Sequence, residues 1–119
     1  MKTMKTALRI NTDLTTEVLD LSTDEYNQLS GTVGGLIQAV SLKPDLTLWC
    51  NDEGKLMGLP MNIICTHMWE RSFGQTDVIV GDCVFTGGTD EEGETIELSQ
   101  AWVVQLQEFA ERVRRQVYA

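Results

Sequence analysis

The sequence predicts an α+β domain: a small antiparallel or mixed sheet with about three helices packed on it, the last one long and amphipathic. Three observations carry that prediction. Short apolar runs alternate with polar residues between turn signals, which is strand patterning. Apolar residues after Ser99 recur at helical spacing as one continuous stripe. The 119 residues, 42% of them hydrophobic, suit a single domain with one core.

In chain order, 6–11 and 16–21 read as strands around the turn residues Asn11-Thr-Asp13. Ser22-x-x-Glu25 has capping-box spacing, and Leu21 and Tyr26 are placed for a hydrophobic staple. A helix is expected from about Thr23, with Tyr26, Leu29 and Val33 on its apolar face and Gly34-Gly35 at its end. Strand 36–42, the turn Lys43-Pro44-Asp45 and strand 46–50 follow, with Leu46, Leu48 and Cys50 on one side. Beyond the turn Asn51-Asp-Glu-Gly54, Pro60 suits the first turn of a helix and Gly74 its end, framing 61–73. Residues 78–80 and 83–85 are strand-like, as one strand bent near Gly81-Asp82.

Ser99 can cap the last helix, over 99–118. Its stripe is Trp102, Leu106, Phe109, Val113 and Val117, widened by Val103 and Ala110. Arg112, Arg114 and Arg115 lie near the negative end of its dipole and read as a C-terminal cap. The helices are expected on one face of the sheet. One domain spans 1–119, with residues 1–5 outside the ordered part.

Eighteen acids against nine bases give a net charge of −9. That balance argues against direct duplex DNA binding and against an anionic membrane surface. No apolar run is long enough to span a bilayer. Lys2 and Lys5 imitate the start of a secretion signal, but no apolar stretch of signal length follows. Three cysteines without such a signal read as free thiols in a reducing cytoplasm.

The charge is concentrated. Asp77, Asp82, Asp90, Glu91, Glu92, Glu94 and Glu97 lie in a stretch without Lys or Arg and supply seven of the nine units. The bland reading is a solvated loop that aids solubility. The sharper one is a surface offered to a basic partner protein.

Candidate chemistry is sparse, and no catalytic residue, metal site or cofactor is expected. Cys50, Cys65, Cys83 and His67 are zinc-type ligands, but no C-x-x-C pair occurs. Cys65 and His67, two apart on a helix, point about 200° from one another. His67 reads as a half-buried helix residue, and Cys50 and Cys83 as core fillers. Asp90-Glu-Glu-Gly-Glu94 lacks the EF-hand pattern. Gly31, Gly34, Gly35, Gly87 and Gly88 fit no phosphate-loop motif and read as turn residues. The stretch from Asn51 to Asn62 offers Asn51, Lys55 and Asn62 as ligand-binding candidates. Backbone N–H groups at a helix start there could hold an anion beside Lys55. The simpler alternative is that Asn62, or Leu59 before Pro60, caps that helix.

Four strings look like one known set: Gly34-Gly-Leu-Ile-Gln-Ala-Val40, Leu46-Thr-Leu-Trp-Cys-Asn-Asp-Glu-Gly-Lys-Leu-Met-Gly-Leu-Pro-Met-Asn62, Asp77-Val-Ile-Val-Gly-Asp82 and Thr86-Gly-Gly-Thr-Asp-Glu-Glu-Gly-Glu94. Together they resemble the domain of unknown function 3846, found mainly in tailed phages of actinobacteria and related mobile elements. The likeness runs from about Ala7 to Leu98, and the string from Asn51 to Asn62 is its specific part. The family has no assigned catalytic residues to carry over. The resemblance implies an accessory phage protein made in the cytoplasm of an infected bacterium, and not a component of the virion shell. Residues 61–66 look more apolar than the family's usual helix, which marks a candidate homodimer face.

Two main classes of function fit. One is a non-enzymatic protein that binds a host or phage partner through the acidic stretch, as a counter-defence or host-takeover factor would. The other is a small-molecule or nucleotide binder with its pocket near 51–62. A structural subunit of a larger phage assembly is a third, weaker option.

Overall fold

Two hairpins and one inserted strand build the sheet. The computed structural model describes residues 4–118. In chain order its elements are β1 (Thr6–Ile10), β2 (Thr16–Asp20), α1 (Glu25–Val33), β3 (Ile37–Lys43), β4 (Leu46–Asn51), α2 (Ile63–Phe73), β5 (Cys83–Thr86) and α3 (Gln100–Val117). β1 pairs with β2, and β3 with β4. β5 enters between β1 and β4, so the five-stranded order is β2-β1-β5-β4-β3, antiparallel throughout. This is the expected α+β architecture with a long C-terminal helix.

The central strand dictates how the sheet is covered. All four residues of β5 are buried, and its side chains alternate between faces. Phe85 and Cys83 join Leu8, Ile10 and Leu48 on one face, under Ile64 and Met68 of α2 and Val103, Leu106 and Ala110 of α3. Val84 joins Ala7 and Leu21 on the other face, under Leu29 of α1. The expectation of helices on one face is therefore corrected: α1 takes one face, α2 and α3 the other. A strand apolar on both sides needs cover on both sides.

Helix α1 starts by a different device from the one expected. Its N-cap is Asp24, at φ 55°, and no side chain caps it. The capping box does not form: the helix starts two residues later, and the Ser22 N–H and Glu25 carboxylate that would pair in one half of the box are engaged elsewhere. The Ser22 N–H donates to Asp20 Oδ1 at 2.9 Å, and Glu25 Oε1 lies 2.6 Å from Lys5 Nζ. Tyr26 is 60% exposed and staples nothing. Gly34 does end the helix, at φ 82°. Of residues 1–5, expected outside the ordered part, 1–3 lie outside the described residues. Lys5 is held by Asp20 as well as Glu25.

Three further expectations shift. α2 begins at Ile63, capped by Asn62, so Pro60 precedes the helix. Residues 78–80 form no strand; Val80 makes an isolated bridge to Met61. On α3 the buried line is Val103, Leu106 and Ala110, while Trp102, Phe109 and Val113 flank it partly buried. Val117 is exposed. The helix turns these smaller residues to the sheet and its aromatics toward the rim. Each tryptophan N–H finds an acceptor there or elsewhere: Trp49 on Thr86, Trp69 on Thr76 and Trp102 on Asp45. Among the described residues no helix is long and apolar enough to cross a membrane.

Gly87 and Gly88 serve close packing rather than a turn. A Cβ on Gly88 would stand 2.1 Å from the Pro44 carbonyl oxygen, and one on Gly87 would stand 2.4 Å from that of Glu97. Gly31, inside α1, has open space around it. Gly88→Ala should therefore destabilise the fold by at least about 1–3 kcal/mol. Gly31→Ala should stabilise it by about 1 kcal/mol through helix propensity. Urea unfolding of the two variants checks both signs.

Candidate functional site

The Asn51-to-Asn62 segment is built from turns pinned at both ends. Asn51 closes β4; its Nδ2 donates to the Val33 carbonyl at 2.9 Å and its Oδ1 accepts from the Glu53 N–H at 2.7 Å. One side chain thereby ties the end of α1 to the end of β4. The chain then folds back, with Leu59 N–H donating to Gly54 O at 3.1 Å and Gly58 at φ 69°. Gly54 lets Val80 approach, and Gly81 lets Leu59 approach; a Cβ on either would fall inside 3.0 Å of the neighbour.

Asn62 is the second pin and is fully buried. Its Oδ1 accepts from the Cys65 N–H at 3.1 Å, and its Nδ2 donates to the carbonyls of Ile10 and Gly81, each at 3.0 Å. The α2 N-terminus is thus capped by its own chain, which is the simpler of the two alternatives. Asn62 turns away from the neighbouring cleft, whereas Asn51 and Lys55 border it.

That cleft has a volume of about 320 Å³. Gln38 and Cys50 come to it from the sheet, residues 51–56 form one wall, and 77–80 form the other. Lys55 and Asp77 join across it as an ion pair. The Lys55 ammonium, then the Val78 N–H, holds the Asp77 carboxyl below the usual carboxylate range. Leu56 stands beside the pair at 87% exposure.

Sequence reasoning did not foresee that the three cysteines meet. Cys50, Cys65 and Cys83 come from β4, α2 and β5 and are buried in one core as free thiols. Burial pushes Cys50 up to about 12. Burial, reinforced by the neighbouring Cys83 thiol, pushes Cys65 well above the ordinary range. Thiols held protonated are poor nucleophiles and poor metal ligands. Among the described residues no three His, Cys, Asp or Glu side chains are placed to hold a metal ion. His67, expected half-buried, is exposed; it points away from the thiols and stacks on Phe109 at 4.7 Å between ring centroids. The signal for the thiol cluster lay in strand parity, but only the pairing of β4 with β5 places Cys50 near Cys83.

The seven acids divide between the two ends of the sheet. Asp77 and Asp82 sit at the end where β4 finishes and β5 starts. Asp82 Oδ2 lies 3.2 Å from Arg9 Nη2, and its Oδ1 accepts from the Thr12 N–H at 2.9 Å. Asp90, Glu91, Glu92, Glu94 and Glu97 lie at the opposite end, on a hairpin arm over residues 87–97. The Gly87 N–H donates to Ile96 O and the Ile96 N–H to Gly88 O, at 3.0 and 2.8 Å. At the tip, Asp90 Oδ1 accepts from the N–H groups of Glu92 and Glu94, each at 2.9 Å. No described residue pairs with the carboxylates of Glu91, Glu92, Glu94 or Glu97.

The arginines of α3 have separate tasks. Arg114 bonds the Leu14 carbonyl at 2.6 Å and pairs with Glu111. Leu14 sits at φ 76° with its side chain in the core, so Arg114 steadies a strained turn. Arg115 also meets Glu111, and Arg112 lies over the Phe109 ring.

Asn62→Ala should cost about 3 kcal/mol or more, since it removes a helix cap and strands two buried carbonyls. Lys55→Ala should change stability by no more than about 0.5 kcal/mol, because its ion pair is exposed. Urea titration of both separates the structural residue from the surface one.

The thiols set a pH dependence. In the unfolded chain they ionise near pH 8.5, whereas the fold keeps Cys50 neutral to about 12. Their raised values make the contribution to stability complete below about pH 8.5 and declining as pH rises above it. Unfolding free energy should fall from about pH 8.5 upward. Cys50→Ala should lower stability at neutral pH yet make that decline shallower.

The family model for a domain of unknown function, DUF3846, matches residues 4–113. No curated protein and no solved structure matches the chain. With almost the whole fold inside the match, from β1 to most of α3, the chain belongs to the DUF3846 family.

Proposed function

We propose that this chain is a non-enzymatic binding protein, a phage accessory factor that engages a basic host or phage protein in the infected cell. Counter-defence and host takeover are the processes such a factor would serve. The observation that carries the reading is the acidic arm. Its backbone is closed by its own hydrogen bonds, Gly88 seats it against the 44–45 turn, and four of its carboxylates have no counter-charge among the described residues. An anchored arm presents its charges at little further entropic cost on binding.

Affinity capture with the full chain from infected-host lysate, at low and high salt, tests this. A basic protein should be retained at low salt and lost at high salt, because exposed charges are screened over about 8–10 Å. Replacing Glu91, Glu92, Glu94 and Glu97 together by Gln should abolish capture while leaving the Asp90 turn intact. Retention of no basic protein at low salt, or equal capture by the Gln variant, overturns the reading.

The cleft at Lys55 and Asp77 supports a second reading, a small-molecule binder. Asp52, Glu53 and Asp77 outnumber Lys55 around it, which disfavours a nucleotide phosphate and favours a cationic or neutral ligand. A ligand of that kind would raise the melting temperature of the parent chain and not of Asp77→Ala.

A further inference from the structure

The sheet has two open edges, β2 and β3, and they differ in kind. β2 is short and carries Glu17 and Asp20, charges that block further strand pairing. β3 has seven residues, and no charge occurs from Leu36 to Leu42. That neutrality stands out in a chain with 18 acids.

The backbone of β3 shows which groups are open. The Asp52 N–H donates to the Leu36 carbonyl at 2.8 Å. In an antiparallel ladder, residues bonded to the neighbouring strand alternate with residues directed away from it. Given the register Gln38↔Cys50 and Val40↔Leu48, Leu36, Gln38 and Val40 face β4. Ile37, Ala39 and Ser41 direct their N–H and C=O groups to the open edge. No turn, loop or side chain among the described residues takes them.

We infer that β3 is a dimerisation edge, where a second copy of this chain adds its own β3 antiparallel about a two-fold axis at Ala39. The set is self-complementary, as a two-fold interface requires. Ala39 meets Ala39 of the other copy, and Ile37 meets Ser41, in both directions. Every outward N–H and C=O of the three residues then finds a partner. The side chain on the axis is a methyl, so nothing bulky collides there. The β-bulge between Ser41 and Lys43 ends the pairing.

Charge favours a second copy in this orientation. Lys43 of each chain comes to the end where Asp52 and Glu53 of the other stand. The acidic arm sits beside the β3–β4 turn, since Gly88 packs on Pro44. Antiparallel pairing therefore sends the two arms to opposite ends of a ten-stranded sheet, where they repel least. This inference does not rest on the function of the arm, and it leaves both arms free.

Strand pairing alone gives an interface below the roughly 1,200 Å² of stable complexes, so the dimer should be in the micromolar range or weaker. Sedimentation of the full chain from about 1 μM to about 1 mM should show the mass rising from 13.3 kDa toward twice that value. Hydrogen exchange of the Ile37, Ala39 and Ser41 amides should slow over the same range. Ala39→Pro removes the N–H at the axis without touching a bond to β4 and should give a monomer. Ala39→Lys, which sets two like charges face to face, should do the same by another route. A chain that stays monomeric at about 1 mM overturns the inference. So does a dimer whose three amides exchange as freely as at dilution, or one that both variants preserve.

Discussion

The rest of the molecule depends on β5 lying between β1 and β4. Each hairpin is local and could form alone, but neither can bury both faces. Only when Cys83–Thr86 inserts does a five-stranded sheet exist for three helices to cover. The insertion is long-range in sequence, because Arg9 must meet Val84 and Thr47 must meet Thr86. Asn62 is the residue that makes it specific. It bonds the last residue of β1, the glycine just before β5 and the first turn of α2 at once. Its burial places the helix start and the strand entry in one fixed relation.

Much of the family-specific string therefore has a folding explanation. Asn51 and Asn62 satisfy buried backbone groups, Gly54 and Gly81 admit neighbouring side chains, and Leu59 fills the space they leave. Residues 61–66 are apolar for the same reason: Ile64 and Cys65 are core, and Met61 and Ile63 alone among the apolar side chains there are exposed. What folding does not require is Lys55 and Leu56 at the rim of the cleft. A nearly bare leucine beside an ion pair adds little to stability, so these two residues are where a binding role in this segment would reside.

Local signals were legible in the sequence and long-range ones were not. The hairpins, the Ser99 cap and the end of α1 at Gly34 follow from turn chemistry and periodicity, which act over a few residues. The capping box at Ser22 failed because the helix starts two residues later, the neighbouring Asp20 takes the Ser22 N–H, and Lys5, twenty residues away in sequence, takes the Glu25 carboxylate. The two-sided cover of the sheet was present in the run Cys-Val-Phe-Thr of β5, where adjacent apolar residues require burial on both sides. The seven acids looked like one surface only because sequence order does not show that β5 separates them, with two at one end and five at the other.

This separation gives the molecule an electrical direction. α3 runs 18 residues, about 27 Å, from the acidic-arm end to the β1–β2 turn, where Arg114 holds Leu14. Asp77 and Asp82 do not offset the asymmetry, because Lys55 and Arg9 neutralise them. A single chain thus carries four unpaired glutamate carboxylates on the arm at one end and mixed charge at the other, where Asp52, Glu53 and Glu111 stand among the basic residues. Such an uneven distribution of charge orients a protein before contact with a charged surface. Two chains joined antiparallel along β3 would cancel it and carry an acidic arm at each end. If the arm binds a basic surface as proposed, the monomer would capture one such surface and the dimer would bridge two, with the weak edge letting concentration choose between them.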